Sequence, residues 1–142
     1  MNKAKLVLGV FVALCVALLG GWFWGASGKG ELNRVLQASQ LRNDLLEARS
    51  SVLTARLDLY RVNFGDAIRH LEETRAQLHR AEEQLKSRGR QDDVKRLEPA
   101  FARLDEAQRL AGQLDQGANS RAAEAARIID DVLGNTRSVP ER

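Results

Sequence analysis

The chain has 142 residues with 22 basic and 19 acidic side chains. Lys3, Lys5 and Lys29 precede residue 31, so the remaining body carries 19 basic against 19 acidic residues. A formally neutral body offers no basic face for a phosphate backbone, which argues against nucleic-acid binding. The single cysteine excludes an internal disulfide.

The stretch from Leu6 to Trp24, LVLGVFVALCVALLGGWFW, contains no charged residue. As a helix its 19 residues span about 28 Å, close to the hydrocarbon core of roughly 30 Å. It ends in two tryptophans and a phenylalanine, the residue types of an interfacial aromatic belt. The sequence therefore predicts a basic start over 1–5 and a transmembrane helix over 6–25.

Removal of this segment is the alternative. A cleavage site can be drawn at Ala26-Ser27-Gly28, which would release a secreted periplasmic helical binding protein. The apolar run exceeds the usual 7 to 15 residues of a signal peptide, so retention is favoured. Lipidation of Cys15 is disfavoured because Leu14 stands where a lipobox needs a small residue.

The charges beside the span predict its orientation. Lys3, Lys5 and the amino terminus crowd one side, which places that side in the cytoplasm. Together with the Arg- and Ala-rich body, this predicts a single-pass protein of a bacterial inner membrane whose C-terminal domain lies in the periplasm. The lipid bilayer is then the first expected partner.

Small residues recur every four positions within the span. Such spacing permits close approach of two helices and predicts a homodimer, although Gly and Ala are common in membrane helices anyway. This candidate transmembrane dimer face comprises Gly9, Ala13, Ala17, Gly21 and Gly25. A glycine-rich flexible spacer over 26–30 follows.

Residues 31–134 show helical periodicity, with a turn predicted at 88–91 around Gly89 and a flexible tail over 135–142. Apolar residues before the turn alternate by three and four in two overlapping series. The first series is Leu41, Leu45, Ala48, Val52, Ala55, Leu59 and Val62, and the second is Leu53, Leu57, Tyr60, Phe64, Ala67, Leu71, Thr74, Leu78, Ala81 and Leu85.

The segment after the turn repeats this pattern with heptad spacing, the signature of a coiled coil. Pro99 predicts either a kink or a helix that starts at Glu98, and Gly134-Asn135 predicts the helix end. The candidate helix seam comprises Leu97, Phe101, Leu104, Ala111, Leu114, Ala118, Ala125 and Ile129.

Two all-α architectures fit. Segments 46–87 and 92–133 have equal length, which favours one long antiparallel hairpin of the coiled-coil type, about 60 Å long. The alternative adds turns at 63–66 and near Gly117, giving two short hairpins.

The alternative draws on a resemblance. Val62-Asn63-Phe64-Gly65-Asp66-Ala67 resembles the inter-helix turn of tetratricopeptide repeats, Gly-x-Tyr/Phe-x-x-Ala, with Val62 where that family prefers Gly. Leu71 and Thr74 fall where the repeat has a large and a small residue. The resemblance extends over residues 55–80 and implies a four-helix peptide-binding or scaffold module.

No catalytic, cofactor or metal site is predicted. His70 and His79 lie nine residues apart, on opposite faces of a helix, so a metal-binding bundle is a minor alternative. Ion pairs are expected between Arg69 and Glu73 and between Glu82 and Lys86.

Three arginines, Arg42, Arg49 and Arg56, follow one another at heptad spacing beside the seam. They form either a solvated flank or a basic stripe for an acidic partner or lipid headgroups. Taken together, these patterns predict a non-enzymatic, membrane-anchored helical scaffold or adaptor for protein–protein interaction.

Overall fold

The computed structural model describes residues 35–137, and this part of the chain is all α-helical, as predicted. Helix α1 covers residues 35–60, α2 Phe64–Ser87, α3 Gln91–Gly112 and α4 Ala118–Arg137. The predicted span over 6–25, its candidate dimer face and the spacer lie outside the described residues. None of the helices within 35–137 combines the length and apolar character needed to cross a bilayer.

The long-hairpin prediction is wrong, because the chain turns at residues 61–63 and 113–117 as well as at 88–90. Helices α1, α2 and α3 all end in the same pair of backbone hydrogen bonds, the Schellman motif. At the end of α1, Val62 N–H donates to the Leu59 carbonyl (3.1 Å) and Asn63 N–H to the Asp58 carbonyl (2.8 Å). Equivalent bonds end α2 around Gly89 and α3 around Leu114.

The three turns place different residues in the left-handed conformation that this motif requires. Gly89 has φ +69°, a conformation that glycine adopts freely. Val62 and Leu114 have φ of 62° and 58°, and a β-branched or bulky side chain is strained there. Because apolar periodicity runs through Val62 and Leu114, hydrophobic spacing alone does not mark these two turns, which only the alternative with turns at 63–66 and near Gly117 includes. That is why one long helix was predicted on each side of Gly89.

Helix α2 begins with a side-chain cap. The Asn63 side chain accepts the Asp66 N–H at 3.5 Å and donates to the Asp66 carboxylate at 2.6 Å. These two hydrogen bonds cap the first turn of α2. Gly65 is the second residue of that helix and does not lie in a helix interior. The motif that resembled an inter-helix turn is thus the turn between α1 and α2.

Polar contacts define which helices are neighbours. Antiparallel pairs join α1 to α2, α2 to α3, α3 to α4 and α4 back to α1, so the described helices after residue 38 close into an up-and-down bundle. The respective contacts are Asp58–His70 (2.8 Å), Arg75–Asp105 (2.6 Å), Arg103–Glu124 (2.9 Å) and Arg49–Asp130.

Each helix buries one seam with three- and four-residue spacing. The seams of α1 and α2 are rich in leucine, whereas those of α3 and α4 are rich in alanine, which allows the two backbones to approach closely. The fully buried residues include Leu45, Val52 and Leu59 of α1, Leu71, Leu78 and Leu85 of α2, Ala100, Leu104 and Ala107 of α3, and Ala122, Ala125 and Ile129 of α4.

Three local predictions are corrected. Leu53, Leu57 and Tyr60 are exposed on α1, so the second apolar series becomes a buried seam only from Phe64 onward. Helix α3 starts at Gln91 and not at Glu98, and it includes Pro99, which is exposed. Helix α4 continues through Gly134 to Arg137, where Asn135 donates to Asp93 (2.7 Å) and Thr136 to the Leu133 carbonyl (2.7 Å).

Candidate interaction surface

The candidate helix seam lies in the bundle interior. Six of its eight residues are buried: Leu97, Leu104, Ala111, Ala118, Ala125 and Ile129. Phe101 is half-buried, and Leu114 is 69% exposed in the turn between α3 and α4. The seam therefore holds helices of one chain together and is not itself a surface for a partner.

His70 and Asp58 form the most enclosed ionisable pair between helices. His70 Nδ1 lies 2.8 Å from the Asp58 carboxylate, and both side chains are largely buried between α1 and α2. The nearby Thr74 hydroxyl donates to the His70 carbonyl at 2.8 Å. Because that hydroxyl is already engaged with backbone, this cluster lacks the nucleophile–base contact of a hydrolase. It links two helices.

His79 lies elsewhere on α2, as its spacing from His70 predicted. Its ring packs against Phe101 of α3 with ring centroids 4.6 Å apart, and Nδ1 lies 3.6 Å from the Glu82 carboxylate. Among the described residues, no group of three or more His, Cys, Asp or Glu side chains is arranged to hold a metal ion.

The outer face of α2 carries the two predicted ion pairs, which are confirmed. Arg69 contacts Glu73 at 3.2 Å and also Asp66 at 3.0 Å, and Lys86 contacts Glu82 at 2.7 Å. Hydrogen bonds from Arg69 and Asn63 lower the pKa of Asp66. The hydrogen bond from Lys86 lowers the pKa of Glu82. This face is a charged, solvated helix surface.

The outer face of α1 differs, because it carries an uncharged stripe opposite its buried seam. The stripe occupies the position two residues before each seam residue and extends to the last residue of the helix. Its members, called the α1 stripe below, are Ser39, Asn43, Leu46, Ser50, Leu53, Leu57 and Tyr60. Leu53 is 38%, Leu57 46% and Tyr60 77% exposed.

The equivalent positions on each of the other helices include charged residues. They are Arg69, Glu72, Ala76, His79 and Glu83 on α2, Lys95, Glu98, Ala102, Asp105 and Arg109 on α3, and Ser120, Ala123, Arg127 and Asp130 on α4. Isolated exposed leucines need no explanation, but a helix face without any charge in a chain that is 29% charged does. The α1 stripe is thus the described helix face best suited to another apolar surface.

Charged residues border the α1 stripe. Arg42, Arg49 and Arg56 follow one edge, where Arg49 pairs with Asp130 and Arg56 donates to Asn119 of α4 at 3.1 Å. Glu47 lies on the other edge, 3.7 Å from Arg80 of α2. An apolar centre with a charged border is the usual composition of a protein interface.

The stripe ends where two strained turns lie. Val62 is 59% exposed and Leu114 69% exposed, and both turns are at the same end of the antiparallel bundle. Each keeps a large apolar side chain in solvent at a backbone position where glycine would be less strained. Sequence reasoning missed the stripe because it assigned Leu53, Leu57 and Tyr60 to a seam shared with α2. The uncharged Ser39, Asn43 and Ser50 were the available signal.

Comparison with known proteins identifies no relative. No protein family, no curated protein and no solved structure matches the chain.

Proposed function

We propose that the chain is a membrane-anchored, non-enzymatic helical adaptor that binds another protein along the α1 stripe. The observation that supports this proposal is the uncharged heptad-spaced face of α1 beside three charged helix faces. In the predicted topology, the anchor precedes α1 and presents the bundle on the periplasmic side of the inner membrane.

Burial of the stripe supplies the driving force. A leucine side chain transferred fully from water contributes about 1.5–3 kcal/mol. Leu46, Leu53 and Leu57 retain 37%, 38% and 46% exposure, so a partner that covers them gains roughly 0.6–1.4 kcal/mol from each. Tyr60 adds a larger exposed surface and a hydroxyl for a hydrogen bond. A contact of this size suits a reversible partner.

The polar contacts along the boundary between α1 and α2 also support a scaffold. Asp44 accepts hydrogen bonds from Arg80 (3.1 Å) and Gln84 (2.5 Å), and Asp58 contacts His70. These pairs lie at heptad spacing along the boundary between α1 and α2, where they set the register of the two helices.

Photo-crosslinking in native membranes tests this proposal. A photoreactive amino acid at Leu53 is expected to give a defined protein adduct, because Leu53 lies at the centre of the stripe. The matched control replaces Ala102, an exposed residue at the equivalent position of α3. The adduct from Leu53 should disappear when Leu57→Lys places a charge one turn away. Identical adducts from both sites, or an adduct that survives Leu57→Lys, would contradict the proposal.

Membrane attachment needs a separate measurement. An anchored chain is expected to sediment with membranes through carbonate extraction and to keep the mass of the full sequence. A soluble product whose mass begins near Lys29 would show that the signal-peptide alternative is correct. In that case the α1 stripe would belong to a soluble protein released from the membrane.

A further inference from the structure

We infer that the partner of the α1 stripe is a second copy of this chain, with the two α1 helices parallel and in register. This inference rests on the proposed function, since it names the occupant of the same face. The pattern that carries it is a complete two-sided heptad arrangement on one helix. Positions c and f are buried in the bundle, and positions a and d form the stripe.

The polar members of the stripe favour self-pairing. In heptad terms Asn43, Ser50 and Leu57 occupy a, and Ser39, Leu46, Leu53 and Tyr60 occupy d. In a parallel in-register pair each a residue meets its own copy. Asn43 would then hydrogen-bond to Asn43 of the second copy, the arrangement in which a single asparagine fixes register and two-stranded state. A purely apolar partner would bury the side-chain amide of Asn43 without a hydrogen-bond partner.

The border charges select the parallel orientation. Position g of one helix faces position e of the next heptad in a parallel partner, which pairs Arg42 with Glu47 twice per dimer. An antiparallel pair would instead set the g rows against each other, so that Arg42, Arg49 and Arg56 faced a second set of arginines. The next g-to-e pair, Arg49 with Thr54, is neutral, and the last, Arg56 with Arg61, is like-charged, although Arg61 already lies in the turn after α1. Within one chain Arg49 pairs with Asp130, and Glu47 lies 3.7 Å from Arg80.

The rest of the bundle leaves room for this contact. The stripe lies on the side of α1 opposite its buried seam, and α2 and α4 contact α1 through Asp44, Asp58, Arg49 and Arg56 beside that seam. A second α1 can therefore reach the stripe without displacing α2 or α4.

The direct test is disulfide formation in the full chain, in lipid nanodiscs and with Cys15→Ala as background. Ser50→Cys is expected to form a disulfide-linked dimer on mild oxidation, and Asn43→Cys to do the same, since equivalent a positions meet in a parallel pair. Ala102→Cys on α3 is the matched control and is expected to remain monomeric. Equal crosslinking at Ala102, or none at either a position, would overturn the inference.

A charge-reversal cycle tests identity of the partner. Arg42→Glu and Glu47→Arg are each expected to weaken the dimer by roughly three- to tenfold, because two border pairs become like-charged. The double variant R42E/E47R is expected to restore the parental dissociation constant, which is measured by fluorescence exchange between labelled chains. A double variant no better than the single ones would overturn the inference, since only a self-complementary pair is restored by changes in one chain.

The two proposals fail separately. If the chain is monomeric in nanodiscs but Leu57→Lys still abolishes the adduct from Leu53, the stripe binds a different protein and self-pairing is wrong. If Leu57→Lys changes neither the adduct nor the oligomeric state, both the docking role and self-pairing are wrong.

Discussion

Helices α1 and α2 bury seams of the same spacing but expose faces of different chemistry. The seam of α1 includes Leu45 and Val52, and that of α2 includes Leu71 and Leu78, all fully buried. Outward, α2 is covered by ion pairs such as Lys86–Glu82, whereas α1 shows uncharged residues centred on Leu53. The buried pattern specifies the bundle, so it carries no information about a partner. The exposed pattern of α1 is not required by the bundle, and we attribute it to binding.

The largest expected effects on stability come from substitutions in the buried seams of α1 and α2, which should be equally sensitive. Leu45→Ala in α1 and Leu78→Ala in α2 each remove a fully buried side chain and leave a cavity. Each is expected to lower the free energy of unfolding by about 2–5 kcal/mol. Leu57→Ala at an exposed position of α1 is the control and should cost less than about 1 kcal/mol. Urea denaturation measures all three, and a large loss for Leu57→Ala would mean that the outer face is part of the core.

The two helices also end differently, which gives effects of intermediate size. Val62→Gly at the end of α1 is expected to raise the unfolding free energy by about 1 kcal/mol, because it removes the cost of a β-branched residue in the left-handed region. Gly89→Val at the end of α2 should lower it by about 1–2 kcal/mol, through backbone strain alone, since a Cβ at Gly89 meets nothing within 4 Å.

Leu114→Gly at the end of α3 is the companion of Val62→Gly and should stabilise similarly. If both glycine variants are less stable than the parent, the packing of the Val62 and Leu114 side chains contributes more to stability than their backbone strain costs. Thermal melts of the three variants decide this.

Transfer of α2 chemistry to α1 should separate binding from folding. Leu46→Glu with Ser50→Lys creates a helix-surface ion pair four residues apart, like Glu82 and Lys86. The unfolding free energy is expected to stay within about 0.5 kcal/mol of the parent, while dimer formation is lost. If the variant is destabilised, the α1 stripe contributes to folding. If the variant still dimerises, the dimer interface lies elsewhere on the chain. Equilibrium unfolding and sedimentation of the full chain give the two readouts.

The smallest expected effect is a change in stability with pH that comes from Glu82. Lys86 lowers the pKa of Glu82 in the folded chain, so this carboxylate adds stability above its unfolded pKa of about 4.3 and loses it as the pH falls through the lower folded value. Lys86→Met should return the pKa of Glu82 toward its ordinary value, as measured by NMR titration.

Much of the bundle was predictable because burial is periodic. The first apolar series gave the α1 seam from Leu41 to Leu59, and six of the eight residues of the candidate helix seam are buried. Helix number was not predictable in the same way. Val62 continues the apolar pattern of α1 yet is the residue at which the chain turns, and a strained backbone leaves no mark in hydrophobic periodicity.

The candidate surface was hidden for a related reason. Leu53, Leu57 and Tyr60 were assigned to a seam because their spacing matches Phe64, Ala67 and Leu71 in the following helix. Because the chain turns at residues 61–63, the residues with this spacing lie on two helices. Those on α1 are exposed, and those on α2 are buried. Only the three-dimensional neighbours of α1 show which of its two apolar faces is covered.

The closure of the bundle between its first and last helices also orders its assembly. The contact between Asp58 and His70 joins residues 12 positions apart, whereas Arg49 and Asp130 are separated by 81. Chain closure over the longer distance costs about 1.7 kcal/mol more in entropy. We therefore expect the hairpins α1–α2 and α3–α4 to form first and to dock afterwards, with the boundary between α1 and α4 the last to close and the first to open. During synthesis, α1 emerges with both of its apolar faces uncovered, and its inner face becomes fully protected from chaperones and proteases only when α4 arrives.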